Sequence, residues 1–151
     1  MRVVAWLTLI MGLATCAVVV LRYGFDIGAV VLQESVIYLH ATAFMLGIAY
    51  TMKVDEHVRV DVIYGRLSGR QQAWVNLAGH LLFLLPVALT IGIGSLPYVT
   101  ASWHILEGSP EVGGIPGIFV LKTLIPVMAL LVTLQGLAEI ARNVRRLTQK
   151  G

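Results

Sequence analysis

Four long apolar stretches, separated by short charged segments, occupy nearly all of this chain, and that pattern makes lipid its solvent. Val3 to Leu21 is 19 residues without a charge, its only hydroxyls being Thr8 and Thr15. At about 1.5 Å of rise per residue this is roughly 28 Å, close to the thickness of a bilayer's hydrocarbon core. A soluble domain carries charge on about a quarter of its residues. Here the fraction is 13% and the mean hydropathy is +0.84. The expected fold class is an all-α integral membrane protein with four transmembrane helices.

Four spans and their turns use almost all of the 151 residues, so the chain reads as a single membrane domain over 1–151 with no room for a soluble catalytic or ligand-binding domain. The net charge of +3 does not point to nucleic acid, because the basic residues flank apolar spans and form no stripe. The lone Cys16 excludes an internal disulfide. Met1-Arg2 ahead of an apolar core, with Leu13-Ala14-Thr15-Cys16, is a near miss for a lipoprotein signal. The apolar run continues through Leu21, longer than a signal core, so the expectation is a retained anchor.

The spans are expected at about 3–21, 30–52, 73–100 and 118–140. The third needs argument. Gln71 to Leu106 is 36 residues without Lys, Arg, Asp or Glu, roughly 54 Å as one helix and too long for an upright span. Two spans with a turn need about 40 residues or more. One tilted span is the better reading, followed by an interfacial segment with Trp103 and His104. Ser68 and Gln71 have capping-box spacing and mark its start. Pro86 and Pro126 predict kinks in the third and fourth spans. Gly108 to Gly117, with four glycines and two prolines, must be an irregular loop. With the N-terminus inside, nine of the eleven lysines and arginines fall on the inner side, which predicts cytoplasmic termini.

Few residues offer chemistry. Glu34 lies about two turns inside the second span, where an unpaired carboxylate costs on the order of 1–3 kcal/mol. It is either an ion ligand or relay, or a structural group paired with Arg22 or with a partner protein. His40 and His80 suggest a bis-histidine haem, but their depths differ, roughly 18 Å against 10 Å from the inner ends of their spans. Hydrogen bonds between helices are the plainer reading. Lys122 sits in the first turns of the fourth span, where the helix dipole disfavours a cation. It is expected to snorkel to headgroups or pair with Glu107 or Glu111, with attraction of an anionic solute as the functional alternative. Glu139 can pair with Arg142 at i+3. Ala43 with Gly47, and Ala88 with Gly92, have the spacing of close helix contacts. No nucleophile–base set, phosphate loop or metal-spaced Cys/His cluster is present, so no catalysis and no cofactor is expected.

The segment from Lys53 to Gln72 is the most patterned. His57-Val58-Arg59-Val60-Asp61 alternates as a strand would, but a lone strand has no partner beside a membrane. As a helix it places Val58 and Val62 on one side, with Arg59, Asp61 and Arg66 mostly away from it. A cytoplasmic interfacial helix is expected there, although the charges alone suffice to hold the loop inside.

In order along the chain stand Arg22-Tyr23, Gln33-Glu34, Leu46-Gly47, His57-Val58-Arg59-Val60-Asp61, Gly108-Ser109-Pro110-Glu111, Lys122 to Pro126, and Gln135-Gly136. This layout resembles the small membrane subunit, DctQ-like, of the tripartite ATP-independent periplasmic (TRAP) transporters, with the His-Val-Arg-Val-Asp element its most specific part. The family often opens its second span with a tryptophan and two acidic residues, where this chain has Val31, Leu32, Gln33 and a single Glu34. The resemblance implies a four-span scaffold subunit in a bacterial inner membrane. Its implied partners are a large permease subunit that carries substrate and sodium sites, and a periplasmic binding protein that delivers the solute, commonly a carboxylate. Arg22, Glu34, His57, Arg59, Asp61 and Lys122 are the candidate structural or partner-interface residues. Two rivals stand beside it: a haem-bearing anchor of a respiratory enzyme, and a small autonomous homo-oligomeric transporter built around Glu34.

Overall fold

The computed structural model describes residues 2–53 and 64–148, and within them it is all helix, turn and loop, without a strand. Helix α1 spans Arg2–Gly24 and α2 spans Val30–Lys53. Helix α3 spans Gly69–Gly79 and leads through a π-helical turn, His80–Leu84, into α4, Leu85–His104. Helix α5 spans Ile118–Thr148. Four helical runs are long and apolar enough to cross a membrane: Ala5–Gly24, Val30–Met52, Gly69–His104 and Ile118–Thr148. The expected interfacial helix, read from His57 through Tyr64 towards Leu67, lies outside the described residues up to 63, and beyond it the chain turns at 65–66 ahead of Ser68.

Helix α5 is the hub: α2, α3, the π-helical turn and α4 all pack against it, while α1 packs on α2. Among the described residues, four of the seven buried apolar residues are alanines, Ala43, Ala73, Ala88 and Ala129. Large apolar side chains such as Trp6, Leu13, Phe44, Phe83 and Ile93 point outward. Water would penalise that inversion, whereas lipid favours it, and close backbone approach replaces the hydrophobic effect as the force between helices. A side chain at Gly92 would come within 3.2 Å of Ala129 Cβ, so α4 and α5 meet closely there. A Cβ on Gly136 would run into the Leu84 side chain, which seats the π-helical turn on α5.

Polar groups along the spans are consumed locally. Thr15, Ser35, Thr42, Thr51 and Thr133 each donate to the carbonyl four residues back, at 2.7–3.0 Å. With no water in a bilayer core, such back-bonding is how a hydroxyl is satisfied. Near the other end of α5, Arg142 pairs with Glu139 at 2.5 Å, as the i+3 spacing predicts.

The start of α3 follows the sequence closely. Ser68 accepts from the Gln71 amide while the Gln71 side chain accepts from the Ser68 amide, a complete capping box. Gln72 Nε2 donates to the carbonyls of Tyr64 and Leu67, and Asn76 Nδ2 to the Tyr64 hydroxyl at 2.8 Å, tying this turn to the helix. Where a kink is expected at Pro86, the structure has the π-helical turn just ahead of it, closed by Leu85 N–H donating to His80 O, while Pro126 lies within the continuous α5. The widened ladder lies just ahead of Pro86, where a proline ring would press on the carbonyl four residues back. Helix α4 then continues unbroken through Trp103 and His104. Trp103 stacks edge-on against Phe119 at 4.7 Å, and its indole N–H donates to Thr123 Oγ1 at 2.9 Å. Packing on α5 therefore keeps this last turn helical.

Candidate functional site

Two polar clusters stand at the end of the bundle where α1 stops, α2 starts, and the 105–117 loop joins α4 to α5. The loop is built by its own backbone. Leu106 adopts φ 46 just beyond α4, its amide donating to Trp103 O at 3.2 Å while the Glu107 amide donates to Ser102 O at 3.0 Å. This is a Schellman close, in the left-handed position usually taken by glycine. Further on, Ser109 N–H donates to Ile115 O at 3.2 Å and Gly114 N–H to Glu111 O at 3.0 Å, with Gly113 at φ 80. The Ser109 hydroxyl accepts from the Glu111 amide at 3.0 Å.

Glu34 reaches into this loop from the first turns of α2. Its Oε1 accepts from the Ser109 hydroxyl, and its Oε2 accepts from the Ile115 amide at 2.5 Å. A Cβ on Gly114 would stand 2.7 Å from Glu34 Oε1, so only glycine admits the carboxylate. Hydrogen bonds to a charged group contribute about 1.5–3 kcal/mol each, enough to offset the 1–3 kcal/mol or so of placing a carboxylate at this depth. No ion pair joins Glu34 to Arg22 among the described residues, so the pairing expected between them is replaced by a latch on the loop. Both carboxylate oxygens are committed to donors within the chain. Glu34 therefore positions the loop and is poorly placed to carry an ion.

The second cluster joins α4 to α5. Lys122 Nζ pairs with Glu107 Oε2 at 2.5 Å and lies 3.9 Å from the centre of the Tyr98 ring. Glu107 is the partner chosen from the two glutamates that the spacing offered. The hydrogen bond from Lys122 holds the Glu107 carboxyl below its ordinary value. A cation at a helix start is thus neutralised by a carboxylate and an aromatic face.

The histidines do not meet. His40 is exposed and stacks on Phe44 of its own helix, with centroids 6.0 Å apart. His80 Nδ1 lies 2.5 Å from Asn76 O, again on its own helix. Of the candidate residues, Arg22 and Glu34 line one cleft and Lys122 stands in the neighbouring cluster. His57, Arg59 and Asp61 lie outside the described residues. Sequence reasoning passed over Ser109, Gly114, the Ile115 amide and Tyr98. The glycine-rich 108–117 loop contains the first three, but nothing in its sequence assigned them a partner.

A family model described as tripartite ATP-independent periplasmic transporters, DctQ component, matches residues 11–146. No curated protein and no solved structure matches the chain. The match covers most of α1 and all of α2 to α4, and extends through nearly all of α5. It names a transporter component rather than an enzyme. A multi-pass, all-helical membrane chain matched over nearly its whole length belongs to the DctQ family of TRAP transporter components.

Proposed function

We propose that this chain is the small scaffold subunit of a sodium-coupled TRAP transporter, held against a large permease subunit in the bacterial inner membrane. In this reading the whole chain is one membrane domain with both termini in the cytoplasm. The loop 105–117 then faces the periplasm, where a binding protein delivers an organic solute, a carboxylate. The observation that carries the reading is the family match over 11–146. The scaffold role is supported by the commitment of Glu34 and Lys122 to partners within the chain. Arg22, Glu34 and Lys122, with His57, Arg59 and Asp61, serve architecture and partner contact rather than transport chemistry.

The test is genetic and biochemical. Deleting this subunit should abolish solute uptake, and replacing external sodium by potassium should do the same in the intact system. The chain reconstituted alone should give no flux. Normal uptake without the subunit would refute the assignment, and flux by the isolated chain would replace it with an autonomous transporter.

A further inference from the structure

Beside the Glu34 latch, a cleft of about 590 Å³ opens between α1, α2, the 105–117 loop and the start of α5. Its composition is uneven. Arg22, in the last turn of α1, and Gln33 and Glu111 are exposed, and none of their side chains has an ion pair or hydrogen bond among the described residues. Ile37 lies seven residues along α2 from Val30, roughly 10 Å nearer the bilayer centre, and turns its apolar surface to the same cleft. The Tyr38 hydroxyl is buried at the cleft wall without a hydrogen-bond partner. One free cation, one free carboxylate and one orphaned hydroxyl thus surround a space that becomes apolar with depth.

We propose that this cleft seats one zwitterionic phospholipid from the leaflet around this end of the bundle. The phosphate lies on Arg22, the primary ammonium on Glu111, and an acyl chain runs down past Ile37. Charge selects the headgroup. With Glu34 also in the wall, the cleft carries two carboxylates and one guanidinium, so an anionic lipid such as phosphatidylglycerol, whose single phosphate charge Arg22 would meet, brings no cation for Glu111 and adds net negative charge. A headgroup that carries its own ammonium satisfies both signs. Depth selects a lipid over a free phosphate ester, because the polar groups sit at the level of the headgroups and the apolar wall lies below them. The Tyr38 hydroxyl gains a partner from an ester carbonyl or from water entering with the headgroup. The proposal depends on the chain spanning a bilayer and is independent of the solute or coupling ion.

The experiment is native mass spectrometry of the full chain, purified with its permease in mild detergent and supplied with phosphatidylethanolamine or phosphatidylglycerol. One phosphatidylethanolamine should be retained per complex in preference to phosphatidylglycerol. Arg22→Gln should lower that retention by at least about tenfold, the worth of one charge-assisted hydrogen bond. Ile37→Trp should block it while leaving the melting temperature and the association with the permease unchanged. A photocrosslinker at position 37 should capture lipid. Retention unaffected by both substitutions overturns the proposal, as does a preference for phosphatidylglycerol. Displacement of the lipid by millimolar inorganic phosphate would assign the cleft to a free anion instead. Crosslinking to the permease or to a second copy of this chain would assign it to a protein contact.

Discussion

At the level of single residues, Glu34 and Leu106 have opposite effects. Glu34 holds Ser109 and Ile115 in place, so Glu34→Ala should free the loop, raising hydrogen exchange at the Ile115 amide and lowering stability by about 2 kcal/mol. Glu34→Gln should do less, because neutral hydrogen bonds are roughly half as strong. Gly114→Ala should resemble Glu34→Ala, since its methyl would collide first with the Ser109 side chain and then with the Glu34 carboxylate, breaking their hydrogen bond. An Ile115 amide equally protected in all three would remove the latch. Leu106, by contrast, is strained and mostly exposed at φ 46. Replacing it with glycine should raise the melting temperature, by an amount equivalent to about 1 kcal/mol. None of the latch was legible beforehand. Its donors lie 75 and 81 residues from Glu34, and spacing along one chain says nothing about pairing over that distance. Arg22 was the obvious partner only because it was the nearest cation at the same depth.

Elements were easier to read than contacts, for a physical reason. Apolar length, capping chemistry and glycine-rich turns are local properties, and lipid enforces them because a broken backbone hydrogen bond has no water to turn to. Hence the Ser68 capping box, the 108–117 loop and the Glu139–Arg142 pair all follow from short windows of sequence. The π-helical turn does not, because proline marks where a ladder is disturbed but not how the disturbance is absorbed. The junction of α4 and α5 carries a pH prediction. Glu107 titrates below its ordinary value of 4.5, its charged form being favoured in the folded state. A depressed carboxyl contributes stability that is complete above its unfolded-state value and is lost as pH falls through the folded one. The wild-type melting temperature should therefore fall as pH drops below 4.5, and Lys122→Met should flatten that dependence. An identical acid slope in the variant would show that the pair contributes nothing.

For the whole molecule, sidedness is the property to measure. Val112 is 96% exposed on the loop, and Thr148 ends α5 about 46 Å away along the helix. In a Cys16→Ser background, Val112→Cys should react with an impermeant maleimide from the periplasm, and Thr148→Cys only after the membrane is opened. Labelling of both from one face would contradict a membrane-crossing α5. The π-helical turn has a further consequence for this architecture. An i→i+5 turn stores one residue more than the α-helix around it, so the faces before and after it keep a common phase despite the surplus. Deleting Leu82 together with Pro86→Ala should leave residues 87–104 facing α5 as before. Deleting Ile91 instead should swing one flank by about 100° and turn Gly92 away from Ala129. The chain thus holds a built-in site for losing a residue without being rewound.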